Sequence, residues 1–301
     1  MKSWRPNNRY KTMGPFTMKI LGRDPYDFVP TRIFDNLAII GNESYACYIL
    51  ETSEGLILMD CMEEWHASYI ESCIIKLGYN PEELKYILIT HEHADHYGNA
   101  GYFQEKYGAR IYMSEIAERN ARDPERLDGR FMTHIMPFHA DGYLVDRGEF
   151  VCGDTVVKTY HTPGHSEGCM SFIFPVYDEG RAHKASLWGG TGCPRQLELA
   201  RQQLKSLDSF CVETAKEGVD VTVSNHPFQD NTMERLELLH KLVDGVPNPF
   251  VMGEGYRRFE LMLREEITEQ IYKLENGIYD DTLDKIVAQA AAIDEAKSKE
   301  S

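Results

Sequence analysis

The stretch ILITHEHADHYGNAGYF, residues 87–103, places His91, Glu92, His93, Asp95 and His96 within six positions directly after an apolar run. Imidazoles and carboxylates are the side chains that bind zinc, and a catalytic zinc site takes three of them and leaves a further position for water. Ile87-Leu88-Ile89 reads as the end of a strand, with Gly98 marking the turn of the loop that follows. Ligands leaving a strand end can face one cleft together. The helical HExxH arrangement differs, since it sets two histidines four apart on one helix face. Glu92, between two histidines, is expected to face away from the cleft.

Two other stretches offer partners. VVKTYHTPGHSEGCMSF puts His161 and His165 around a Thr-Pro-Gly turn after a β run, and VTVSNHPF puts His226 in the loop after another strand. Three strand ends, each presenting histidine, are how a fold gathers ligands at one rim. A lone histidine at a strand end more often caps a turn or lies on the surface, so His66, His134, His139, His183 and His240 are left unassigned. The cluster is different, because so many imidazoles around a carboxylate would repel one another on protonation without a metal.

The elements that must position these residues can be read from periodicity. NLAIIGN, YACYILET and LILMD are short strands, the last two joined through Ser53-Glu54-Gly55. EEWHASYIESCIIKLG reads as a helix with Trp65, Tyr69, Cys73 and Leu77 on one face and Gly78 as its stop. Asn80-Pro81-Glu82-Glu83 is a capped single turn before the strand YILIT. Helix and strand then alternate through NAGYFQEKYG, RIYMS and SEIAERNARDPERL. From Gly142 the pattern is β-rich until the helix QLELARQQLKSLDSFCVETAKEG, whose buried face is expected at Ala200, Leu204, Leu207 and Cys211, and the strand VDVTVSNHP. Two halves, each of strands followed by helices, make an α/β chain. The last 45 or so residues read as mainly helical, with Leu283, Ile286, Ala290 and Ile293 as an apolar stripe that docks on its own domain or on a second subunit. The expected division is a catalytic domain over 1–275, with an N-terminal arm at 1–30, and a helical tail over 276–301.

The motif His91-x-His93-x-Asp95-His96, the later Thr162-Pro163-Gly164-His165 and the loop histidine His226 resemble the metallo-β-lactamase superfamily over roughly residues 30–265. The resemblance implies a four-layer αββα sandwich with two zinc ions per chain at one edge of the sheets. Carried over position by position, His91, His93 and His165 would hold the first zinc, and Asp95, His96 and His226 the second. Asp60, closing LILMD, matches a strand-end aspartate that orients the metal loop from behind; read without the family it is equally a helix-start residue. Asp95 would both ligate and orient the nucleophile, a hydroxide held by the metals, for attack on a carbonyl. Many members carry a metal-bridging aspartate where this chain has Gly189-Gly190-Thr191-Gly192. Its absence makes the chain most similar to the lactamase subclass with His-His-His and Asp-His-His sites, the B3 type. It also argues against the iron-dependent dioxygenases of this fold, and His93 stands where the flavodiiron proteins have Glu. Cys193 does not sit where the cysteine-bearing lactamases place theirs. The expected activity is β-lactamase-like amide or lactam hydrolysis, the alternative a lactonase or thioesterase. An iron-dependent oxidoreductase and a non-catalytic binding protein are the more distant readings.

Whole-chain properties bound the rest. A formal charge of −16 opposes a nucleic-acid partner, which would need a basic footprint. The N-terminal stretch lacks an apolar signal region, and no apolar run approaches the ~18 residues of a membrane span. Seven scattered cysteines without a CxxC pair suit buried thiols in a reducing compartment. These observations lead to the expectation of a cytoplasmic enzyme acting on a small molecule, with the C-terminal helix available for homo-oligomer formation. The segment 129–140, rich in Met and aromatics, either roofs the cleft or packs on the sandwich.

Overall fold

Strand-forming runs separated by Gly-, Asn- and Pro-containing turns build two sheets. The computed structural model describes residues 27–123, 135–242 and 245–278. The first sheet has seven strands in chain order: β1 (Thr31–Phe34), β2 (Leu37–Gly41), β3 (Ala46–Thr52), β4 (Gly55–Met59), β5 (Leu84–Leu88), β6 (Arg110–Met113) and β7 (Gly142–Tyr143). β1 to β4 pair antiparallel through short turns, and β4 to β7 pair parallel. Parallel neighbours need crossovers, supplied here by α1 (Ala67–Lys76), by α2 (Ala94–Tyr97) with α3 (Ala100–Tyr107), and by α4 (Glu115–Ala121). The second sheet runs β12-β11-β10-β9-β8, from β8 (Gly148–Cys152), β9 (Thr155–His161), β10 (Met170–Asp178), β11 (Arg181–Leu187) and β12 (Val221–Val223). Its one parallel pair, β11 with β12, is bridged by the long helix α5 (Leu197–Glu217). Two short helices, α6 (Pro227–Asp230) and α7 (Thr232–His240), precede α8 (Gly255–Glu275).

Alternation along the strands sorts side chains into layers. Tyr48 and Leu50 of β3, Ile57 and Met59 of β4, and Phe172, Phe174 and Val176 of β10 fill the space between the sheets. Cys47, Ile49, Leu56 and Leu58 point the other way, onto Ile70, Cys73 and Ile74 of α1 and Phe103 of α3. Behind the second sheet, Tyr160, Ile173 and Trp188 meet Leu207 and Phe210 of α5 and Tyr256, Phe259, Leu263 and Ile267 of α8. Each such buried side chain contributes about 1.5–3 kcal/mol relative to exposure, and together they make the expected αββα sandwich.

Three expectations change in detail. α1 begins at Ala67 after a single 3-10 turn, and its buried face is Ala67, Ile70, Cys73 and Ile74; Trp65 is exposed. On α5 Ala200 and Leu207 are buried as expected, together with Gln203, Ser206, Phe210, Glu213 and Thr214, whereas Leu204 and Cys211 are only half-buried. The described part of the 129–140 segment lies on the helices of the first sheet. The Phe138 ring packs, tilted, 5.5 Å from that of Tyr97, and a Cβ on Gly101 would stand 2.5 Å from the Met136 carbonyl. Asn80 caps the turn before β5 as expected, accepting from the Glu82 N–H at 3.1 Å. α8 is helical to Glu275; Leu283, Ile286, Ala290 and Ile293 of the expected tail lie outside the described residues.

Candidate metal centre

β4 and β5 lie side by side and parallel, so their C-terminal ends open at one edge of the first sheet. Asp60 follows β4 and Thr90-His91 follow β5. The chain stays extended at His93, then coils into α2, which sets Asp95 and His96 on one turn. From the second sheet, the β9–β10 turn brings His165, and the loop leaving β12 brings Asn225 and His226. The sheets are sewn at this edge by the Met170 N–H donating to the Thr90 carbonyl at 2.7 Å.

Two groups of three ligand atoms result: His91, His93 and His165 in one, Asp95, His96 and His226 in the other. Within each group the donor atoms lie within 4.8 Å of one another. His93 Nδ1 is 3.1 Å from both His91 Nε2 and His165 Nε2. Asp95 Oδ2 is 3.5 Å from His96 Nε2 and 3.8 Å from His226 Nε2. All six residues singled out from the sequence are therefore brought together, in the two sets expected.

The other ring nitrogens show which atoms are free. His165 Nδ1 faces the Gly192 carbonyl at 3.2 Å and His226 Nδ1 the Ser44 carbonyl at 2.8 Å. A carbonyl only accepts, so both Nδ1 atoms carry the proton and both Nε2 atoms are bare lone pairs. His96 Nδ1 donates to Asp60 Oδ2 at 2.8 Å, which leaves its buried Nε2 without a hydrogen-bond partner. The Thr90 hydroxyl donates to Asp60 Oδ2 at 2.8 Å, so it accepts from His91 Nδ1 at 3.0 Å and bares that Nε2 as well. Four lone pairs held in this way, with one carboxylate, form a donor set made for divalent cations of the zinc class.

Charge follows the same pattern. Burial and the neighbouring imidazoles push His91 and His165 well below the ordinary histidine range, and His226 to about 4. His96 moves up: burial lowers it, but Asp95 and Asp60 outweigh that. Loss of water around Asp95 raises its carboxyl, yet His96, His226 and His93 overcome this and hold it at about 2. At neutral pH His226 is thus neutral and Asp95 ionised, the forms that bind a metal, and the shifts of His91 and His165 act in the same direction.

Asp60 does what the strand-end position suggested. It is 1% exposed, adopts a left-handed backbone (φ 59°), and accepts from the Thr90 N–H (2.7 Å), the Thr90 hydroxyl and His96. Asn225 joins it, with Nδ2 at 3.3 Å from Asp60 Oδ2 and 3.2 Å from Thr90 Oγ1. Thr90 and Asn225 were not singled out from the sequence, although each immediately precedes a ligand. The Ser44 and Gly192 carbonyls carried no signal, since every residue has one. His161 is not part of the centre; its Nε2 bonds the Glu167 carbonyl at 2.9 Å. His183 pairs with Asp220 and His240 with Thr31, while His134 lies outside the described residues.

At Gly189 and Gly190 the loop leaves no room for an acidic side chain. A Cβ on Gly189 would lie 1.9 Å from the Met170 carbonyl, and one on Gly190 2.9 Å from His165 Cβ. The Gly190 carbonyl is pinned by Trp188 Nε1 and Gln203 Nε2, both at 2.9 Å. Cys193 belongs to neither ligand group.

Comparison with known proteins agrees with this geometry. Residues 40–178 match the model of the metallo-beta-lactamase superfamily. An N-acyl homoserine lactonase of a Bacillus species is 27% identical over 159 residues, 44% of this chain and 59% of the relative. The chain thus spans about six-tenths of the length of the lactonases it matches. A native metallo-beta-lactamase from Legionella gormanii superposes with a TM-score of 0.74 at 23% identity, covering 83% of this chain and 98% of that one. A class B3 di-zinc metallo-beta-lactamase from an Alaskan soil metagenome superposes with a TM-score of 0.67 at 26% identity, covering 82% and 95%. With the matched motif in place on the matching sandwich, residues 40–178 carry a metallo-beta-lactamase superfamily domain.

Proposed function

We propose that the protein is a zinc-dependent hydrolase that takes two ions per chain and opens a lactam or similar amide. The observation that carries this is the pair of three-ligand groups, with four imidazole nitrogens bared by hydrogen bonds on the far side of each ring and no bridging carboxylate among the described residues. Zinc held there supplies Lewis acidity and a water that ionises near neutral pH. The protein's own part is positional. Asp95, ionised at about 2, stays an acceptor throughout the working range and can orient a water proton. Asp60, Thr90 and Asn225 fix the rings so that no reorganisation is needed as charge develops. The likeness to the class B3 enzyme supports a lactam; the likeness to a lactonase supports the second reading, a lactone.

The proposal extends to a small-molecule substrate, since a charge of −16 repels phosphate backbones. It extends also to a reducing, cytoplasmic setting, supported by seven cysteines all present as free thiols. No helix among the described residues is long and apolar enough to cross a membrane.

The test is metal quantification run together with a panel of a β-lactam, an acyl homoserine lactone and a thioester. His91→Ala and Asp95→Ala should abolish turnover and lower metal content. Full activity in a metal-depleted sample would end the proposal, and a single iron per chain would favour an oxidoreductase instead.

A further inference from the structure

Glu92 lies inside the ligand motif but is not a ligand. It faces away from both groups, as its place between two histidines suggested. Its carboxylate nevertheless meets three donors from two other parts of the chain. Oε2 accepts from the Ser166 hydroxyl at 2.7 Å, and Oε1 from Asn120 Nδ2 at 2.8 Å and the Gly168 N–H at 3.2 Å. Ser166 directly follows the ligand His165. Asn120 lies on α4 and also reaches Glu167 Oε2 at 3.2 Å. The Ser114 hydroxyl, which caps α4, donates to the Gly168 carbonyl at 2.7 Å and so holds the same turn from its other side. The approach is close enough to require glycine, because a Cβ on Gly168 would lie 2.6 Å from both Glu92 Oε2 and the Ala117 nitrogen.

We propose that Glu92 is a positioning residue for the first metal group, a clamp fixing His165 against His91 and His93 across the two sheets. This rests on the dinuclear reading of the centre. The group it serves takes two ligands from the loop after β5 and one from the β9–β10 turn, so its geometry depends on how those two loops are joined. The second group has separate supports, in Asp60 behind His96 and the Ser44 carbonyl behind His226. A backbone bond, Met170 N–H to the Thr90 carbonyl, joins the sheets independently of Glu92, and Gly164 is packed against α5, where a Cβ would lie 2.4 Å from Gln203 Cα. Removing the carboxylate should therefore loosen His165 without unfolding the turn.

The experiment is zinc titration of the full chain against a competing chelator, for the wild type, Glu92→Ala and Glu92→Gln. Glu92→Ala should weaken one of the two zinc ions by about 10–100-fold, the range for residues that orient ligands, and leave the other within about threefold. Glu92→Gln, which keeps an acceptor but turns an N–H₂ toward one donor, should fall between. Repeating Glu92→Ala in two backgrounds identifies the site. With His226→Ala, which spares the first group, the loss should persist; with His165→Ala it should vanish. A general structural role would lower the melting temperature of the metal-free protein and weaken both ions in parallel, and that result would overturn the inference. So would unchanged affinity for both ions. A wild type that binds no zinc would instead sink the functional proposal itself.

Discussion

At the scale of single residues, the centre depends on which nitrogen of each ring carries a proton, and Asp60 sets this for His96. Replacing Asp60 by Asn is nearly isosteric but exchanges an acceptor oxygen for an N–H₂ donor. If that donor faces His96, Nδ1 must become the acceptor and the proton moves to Nε2, the atom that should bind metal. Asp60→Asn should then reduce affinity for one of two zinc ions by about 10–100-fold. Asp60→Ala should add a stability loss of about 1–3 kcal/mol, because the Thr90 N–H and the His96 ring are left buried without an acceptor. Metal content and thermal melting separate the two effects; an Asn variant that keeps both ions would contradict the tautomer assignment. The ligands and Asp60 were legible because imidazole and carboxylate are chemically conspicuous at strand ends. Thr90 and Asn225 were not, since a hydroxyl and an amide gain meaning only once the fold turns them toward Asp60.

Elements were legible in kind and order, less so in orientation. The face expected for α1, Trp65-Tyr69-Cys73-Leu77, steps by four residues and so drifts about 40° per step around a helix of 3.6 residues per turn. The face actually buried, Ile70, Cys73 and Ile74, uses steps of three and four and stays over the sheet. Trp65 falls in the preceding 3-10 turn, where it is half exposed. The two faces predict different costs. Ile70→Ala should destabilise by about 2–5 kcal/mol, as for a buried aliphatic truncation. Trp65→Ala should stay within about 0.5 kcal/mol, as for a surface change. Denaturant unfolding of both variants checks this, and a larger loss for Trp65 would mean that the sequence-based face is the packed one. Glu92 marks a similar limit: its direction was readable from its neighbours, while Ser166 and Asn120, more than twenty residues away, were not readable as its partners.

For the whole molecule, each metal group draws ligands from both sheets, so an ion bound there ties the two halves of the sandwich together. An ion that binds only the folded chain, as proposed for zinc, stabilises it by about 4.1 kcal/mol at a free concentration of 1,000 times its dissociation constant. Chelation at pH 7 should thus lower the melting temperature by several degrees. The metal-free protein should then weaken further in acid. His91, His93, His165 and His226 are all held below their ordinary value when folded, the last at about 4, so the unfolded chain binds more protons as pH drops below ~6.5. Stability from these groups is complete above that pH and is lost on the way down to the folded values. His96 has the opposite sign. Raised by Asp95 and Asp60, its contribution is complete below ~6.5 and is lost as pH rises through its folded value. Four groups of the centre against one give a net fall in acid, read as a declining melting temperature between pH 7 and pH 5 in chelator. His226→Gln should make that decline shallower by removing one of the four. A flat profile in the unsubstituted protein would mean that the imidazoles are not confined as the geometry of the centre requires.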